Sequence, residues 1–368
     1  MSWHRTHFFV SDVDVVVVGG GIHGLCSAFA LRRRGRGVVV LDRFGVGHDR
    51  GGSHGAARIT RSSYHERRYV EWARRSQRDG WPALAAELGR QLVHATPGVF
   101  FGPPVGLFAE FLAATLGVGV DVAEVDVAEA ARLFPLLRFE AGDAVMVDHT
   151  AGVLAAEETM TGLRQWLLAH DVQFLDGVEV ARLQPEAAAI TIETSSDRLR
   201  ARAVVVAAGA WLGELLPEWR KPLRALRQEV GYVQVTAPAE AMQVGAFPVW
   251  CRIGKTAQDF VYGLPQFGRP GLKLAHHRTV GPADDANALP GPIDPEPLAE
   301  LARHRLSAPF EAVLSSEHCM YAVAPEEELH VVRSEMDPRI VAVAACSGHG
   351  FKFGPVIGQD VAKLIAPR

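Results

Sequence analysis

Gly19, Gly21 and Gly24 are spaced as a G-x-G-x-x-G turn, with the acid Asp42 downstream. Such a turn handles a dinucleotide. Gly19 permits the tight bend, Gly21 lets a pyrophosphate approach the backbone, and Gly24 lets helix and strand pack closely. A carboxylate at Asp42 can accept hydrogen bonds from ribose hydroxyls. At the far end of the chain, Gly348 and Gly350 form a second turn suited to phosphate or flavin. Two such turns fit a dinucleotide of FAD's size lying across a sheet, whereas NAD would need only the first. Lys352 stands between Phe351 and Phe353 in a chain with only five lysines. That frame argues for a buried cation and against a lysine snorkelling to solvent. Arg58 and Arg61 follow a glycine- and histidine-rich loop at residues 44–55. Three apart, they share one face of a helical turn, either at the cofactor edge or as a solvated basic face.

These residues need particular elements behind them. The valine run at residues 15–18 reads as a buried parallel strand, followed by a helix from Leu25 to Arg34 and a second strand at residues 38–41. Residues 202–211 read as another buried strand ending in small residues, where a backbone can approach a ligand. The pattern predicts one long helix over 69–92, short helices over 108–116 and 123–133, a loop at 152–154 and a helix over 157–170. Alternating strands separated by Pro and Gly follow from Leu223 to His277, the floor of a substrate pocket. A linker at 282–297, a helix to Leu306, a strand over 340–345 and a closing helix over 356–365 complete the chain. The expected fold class is α/β: a Rossmann-like FAD-binding domain (residues 1–95, 140–222 and 315–368) interleaved with a substrate domain on a mixed or antiparallel sheet (96–139 and 223–314).

Composition narrows the class. Hydrophobic content of 48% and charged content of 22% are ordinary for a globular protein. A net charge of −4 gives nucleic acid no basic surface. No apolar run is long enough for a membrane span. Residues 1–12 lack the apolar core of a signal peptide, and residues 366–368 are not a peroxisomal address, so a cytoplasmic location is expected. Cys26, Cys251, Cys319 and Cys346 form no C-x-x-C pair, so neither zinc nor a dithiol is expected, and no metal site is assigned. Apart from Cys319, they read as inert buried thiols.

Six segments together carry a resemblance: Gly19–Gly24, Gly52–Arg61, Tyr262–Pro265, Gly271–His277, His318–Tyr321 and Ser347–Phe353. The sequence resembles the D-amino-acid-oxidase-type flavoproteins, and among them the group of monomeric sarcosine oxidase, N-methyltryptophan oxidase and pipecolate oxidase. The resemblance implies an FAD oxidase of a secondary or cyclic amine bearing a carboxylate. The expected partners are that amine and O2, with H2O2 as product and a monomeric enzyme. It also implies a thioether from Cys319 to the flavin 8-methyl. Arg61 and Lys352 would bind the substrate carboxylate. Arg58 and His54 would lie against the flavin ring. Lys273 would promote the reaction of reduced flavin with oxygen, although in isolation it reads as an edge-strand lysine. Tyr262, His277 and Tyr321 would shape the pocket, with Glu66 nearby.

The cofactor contacts expected at the first turn are Gly19, Gly21, Ile22, His23, Gly24, Asp42 and Arg43. Ser53, Arg58, Val178 and Gly209 would continue the site, and Cys319, Gly348, Gly350, Phe351 and Lys352 would complete it. The chain departs from the family at Ala56 and Ala57 and over residues 250–258, where Arg252 reads as a solvated strand-end charge. Two alternatives stand beside the oxidase: a dehydrogenase using another acceptor, and a non-catalytic flavin-binding subunit.

Overall fold

The computed structural model describes residues 13–344 and 346–365. Ala345, the expected end of the last strand, and the two termini discussed above lie outside the described residues.

The valine run forms the strand Val13–Val18, whose last five residues are buried. It is central in the first sheet, between the parallel strands Arg198–Val206 and Val38–Asp42. Val15 stands beside Ala203 and Val18 beside Val206. The strands Gln173–Asp176 and Ile340–Ala344 extend the parallel pairing on either side. The helix Ile22–Arg33 packs its apolar face with the closing helix Gly354–Leu364 over one face of this sheet. The close-packing role of Gly24 is visible: a side chain there would collide with the Gly19 carbonyl, and one at Gly19 (φ +105°) with the Ala207 carbonyl.

The second sheet is mixed. Phe310–Val323 pairs along Arg224–Val235, followed in order by Leu272–His276, Val261–Leu264, Val249–Arg252, Gly98–Gly102, Ala144–Asp148 and Val122–Val125. Residues 144–148 and the whole of 310–323 therefore belong to this sheet, although the expected segment boundaries fell at 140 and 315. A small third sheet joins Ala57–Thr60, Gly152–Ala155 and Val93–Ala95.

Several local expectations differ from the structure. The long helix over 69–92 is a continuous helical run over residues 67–88, with a π-helical stretch at Ser76–Gly80 between its α-helical parts Arg67–Arg75 and Trp81–Leu88. Pro82 has no N–H with which to continue the α-helical ladder there. The stretch has a use: Ser76 Oγ and Trp81 Nε1 donate to the Lys352 carbonyl at 2.5 and 2.8 Å. Residues 122–125 are a strand, and the helix Val127–Leu133 starts where Asp126 accepts from the Glu129 N–H at 2.7 Å. Residues 152–155 are a strand rather than a loop. Arg58 lies in a strand, with Arg61 just past its end, so the two share no helical face.

Candidate active site

The first glycine turn is held from behind by Asp42. Its buried carboxylate accepts from the Gly20 N–H at 2.7 Å and the Phe44 N–H at 3.0 Å. Ser53 Oγ accepts from the Ile22 N–H at 3.0 Å, tying the loop to the helix start. His23 Nε2 lies 3.1 Å from the Gly350 carbonyl and joins the two glycine turns. Burial pushes this imidazole down to about 4, so it stays neutral and donates to the carbonyl. In front of the turn runs a groove of about 490 Å³, lined by Gly19, Gly21, Ile22, His23, Asp42, Arg43, Ser53, His54, Val178 and Gly209. Arg43 faces its rim and reaches Glu179 at 3.3 Å and Asn287 at 3.0 Å.

The groove leads into an inner cavity of about 90 Å³, and Gly52, Cys346 and Phe351 line both. Arg58, Arg61, Tyr262, Lys273, His277, Cys319, Tyr321, Gly348, Gly350 and Lys352 all line this cavity. Gly348 (φ +74°) is needed there, because a side chain would strike the Tyr321 and His277 rings. Arg58 donates to the Gly52, His54 and Ala57 carbonyls at 2.6–2.9 Å, fixing the loop between groove and cavity. Burial, and then Arg58, hold His54 down at about 4, and its buried Nε2 has no hydrogen-bond partner.

Two cations stand out. Arg61 lies 4.5 Å from the Tyr64 ring centroid and within 6.0 Å of those of Phe100, Phe111 and Phe260, donating to the Ser63 carbonyl at 2.6 Å. Lys352 Nζ donates to Tyr64 Oη at 2.9 Å and to the His349 carbonyl at 3.2 Å. Both are buried, and neither has a carboxylate partner among the described residues. Burial, and then Arg61, push the Lys352 amine well below its usual value. Tyr64, Phe260 and His349 were not expected at the site. Tyr64 stands three residues past Arg61 and His349 lies within the Ser347–Phe353 segment, and those positions were the available signals.

Lys273 is the third buried cation. Its Nζ donates to the Ala57 carbonyl at 3.2 Å and lies 3.7 Å from Glu317. Burial, and then Arg58, bring it down to about 7. Its strand pairs on both sides and the side chain is buried, so the edge-lysine alternative fails. Tyr321 Oη lies 3.4 Å from His277 Nδ1, and His277 Nε2 lies 3.7 Å from Glu327. Burial alone would raise the Glu327 carboxyl, but its bond to His277 helps hold it at about 2. Arg61, Phe260, His277 and His349 also line an outer cavity of about 450 Å³, the continuation of the inner one.

Cys319 is buried with Sγ 4.0 Å from the Gly52 carbonyl. Burial pushes its thiol up, while Arg58 works the other way. Cys251 and Cys346, read from sequence as inert, also line the inner cavity. Glu66 lines neither cavity; it pairs with Arg68 at 2.7 Å at a helix start. Arg252 is not a solvated end but packs against Glu140 at 2.8 Å, away from the inner cavity.

The family described as FAD dependent oxidoreductase matches residues 14–364. The chain belongs to that family. It is 30% identical over 360 residues to peroxisomal sarcosine oxidase of Mus musculus, spanning 95% of this chain and 91% of the relative. It is 27% identical to monomeric sarcosine oxidase of Arthrobacter sp. (strain TE1826), spanning 96% and 92%. The fold matches that of NikD, an unusual amino acid oxidase essential for nikkomycin biosynthesis, at a TM-score of 0.83 and 23% identity, covering 97% and 94%. The chain is an FAD-dependent enzyme of the amine and amino-acid oxidase class. Its groove fits that cofactor on its own evidence: a glycine turn in which a side chain at Gly19 or Gly24 would strike backbone, Asp42 beneath it, and the orphaned His54 nitrogen beside it.

Proposed function

We propose that the chain oxidises a secondary or cyclic amine that carries a carboxylate, such as an N-methyl amino acid or an imino acid, with O2 as electron acceptor and H2O2 as product. The observation that carries this reading is the pair Arg61 and Lys352, two buried cations with no carboxylate partner among the described residues, facing a small cavity beside the groove. A substrate carboxylate supplies the missing charge through charge-assisted bonds from a guanidinium fork and an ammonium. The same cations lower the pKa of the bound amine, favouring the neutral form whose lone pair is needed. Tyr262, Tyr321 and His277 enclose the amine, and the narrow cavity limits water. The groove would hold FAD, which would supply a hydride acceptor for the carbon beside nitrogen and a route for the electrons to oxygen. Water then hydrolyses the imine released, unless a ring retains it. The names of the monomeric relatives support a single-chain enzyme.

The deciding experiment is an anaerobic spectral screen. The flavin absorbance of the holoenzyme is expected to bleach with one or more secondary amino acids. No bleaching across the panel, while a sarcosine oxidase control bleaches, would remove the reading.

We further infer a thioether from Cys319, supported by its position in the wall beside Gly52, where the groove meets the cavity. Cys319→Ser is expected to leave the yellow colour in the supernatant after acid precipitation, whereas the wild-type pellet stays yellow. Colour retained by the variant's pellet would point to another attachment, with Cys346 as the neighbouring thiol.

A further inference from the structure

We propose that Glu317 is the positioning residue for Lys273, holding its ammonium against the inner cavity and keeping it charged there. The proposal rests on the reading of Lys273 as the cation that serves the reaction with oxygen.

Strand alternation places Glu317, Cys319 and Tyr321 on one face of Phe310–Val323, and all three line the inner cavity. The Glu317 carboxylate is anchored from two other directions. One oxygen lies 2.7 Å from Arg269, which reaches in from the rim. The other accepts from Tyr232 Oη at 2.8 Å and lies 3.7 Å from Lys273 Nζ. Tyr232 and Lys273 are themselves opposite one another across paired strands, with Nζ 5.8 Å from the ring centroid. The carboxylate is therefore fixed before it meets the lysine. Lys273 has one carbonyl partner, Ala57, on the other side. An ammonium carries three donors, so a direction remains for the cavity.

The charge balance makes this carboxylate necessary. Arg58, Arg61, Lys273 and Lys352 line the inner cavity, and Glu317 is its one carboxylate among the described lining residues. The groups that face Lys273 are Arg58 from the strand at 57–60, Arg269 from the turn before its own strand, Tyr232 from the paired strand, His54 from the loop, and Glu317 and Cys319 from Phe310–Val323. Arg58 and Arg269 oppose its charge. Burial keeps His54 and Cys319 neutral near pH 7. Glu317 is the group left to sustain it.

The test uses holoenzyme labelled with [13Cε]lysine. Five lysines give a spectrum simple enough to follow, with the Lys273 signal assigned by its loss in Lys273→Met. Glu317→Gln is expected to move the Lys273 titration to lower pH by about one unit or more. Glu317→Asp, which keeps the charge, is expected to move it less in the same direction, and it decides the matter if the glutamine variant does not fold. The pH at which reoxidation of reduced enzyme declines is expected to move with the titration. An unmoved titration, or equal shifts in the Gln and Asp variants, would overturn the proposal. Unchanged reoxidation in Lys273→Met would instead remove the oxygen reading and leave the titration to judge the ion pair.

Discussion

Lys352→Met is expected to weaken binding of a carboxylate-bearing substrate by about 2–5 kcal/mol, roughly 30- to 5,000-fold in dissociation constant. Anaerobic equilibrium titration of the flavin spectrum measures it. The size follows from the setting. Lys352 and Arg61 share a buried cavity and neither is paired with a carboxylate among the described residues, so a ligand anion there interacts with both, little screened by water. Methionine keeps the approximate length and volume, and the Lys352 carbonyl keeps its bonds from Ser76 and Trp81. The variant therefore loses a charge and leaves the turn intact. An unchanged dissociation constant would place the carboxylate elsewhere.

The same substitution is expected to stabilise the protein without substrate. Burial depresses the Lys352 amine in the folded state, so between that depressed value and the ordinary lysine value of about 10.4 the unfolded chain binds more protons. In that window stability rises with pH, and below it the full penalty of a buried cation is present. Lys352→Met removes this slope. A lower melting temperature at neutral pH would show instead that the ammonium is net stabilising through Tyr64 and the His349 carbonyl.

Local signals carried most of the cofactor half of the site. The valine run, the glycine spacing and Asp42 lie close together in sequence and needed only period and residue type to be read. Glu317 was invisible for a physical reason. It sits in Ser315-Ser316-Glu317-His318, a polar stretch that looks like solvent-facing strand. It turns inward only because Phe310–Val323 pairs along its length with Arg224–Val235, a long-range event. Arg58 and Arg61 were assigned to a functional edge, but on the geometry of a helix. The strand at 57–60 is set by its pairing with Gly152–Ala155, a segment that read as a loop. Arg252 fails similarly: its partner Glu140 lies far back in sequence. Charges whose partners come from distant strands are the part that period and spacing cannot supply.

Lys273→Met is expected to slow the reaction of reduced enzyme with oxygen by about 10²–10³-fold, the loss typical of one preorganised charge-stabilising donor. Anaerobic reduction by substrate is expected to change far less, and stopped-flow measurement of the two half-reactions separates them. The wild-type oxygen reaction is also expected to decline as pH rises through about 7, where Lys273 loses its proton, and the variant to lack that dependence. Equal slowing of both half-reactions would contradict the role. The reason to separate this lysine from Lys352 is its counter-ion. Lys352 has no anionic partner among the described residues, so its charge is best satisfied while a substrate carboxylate is present. Lys273 has Glu317 at 3.7 Å, so its charge persists after the product carboxylate has left. A cation that must act on oxygen in either condition needs an anion of the protein's own, and among the described residues Lys273 has one where Lys352 does not.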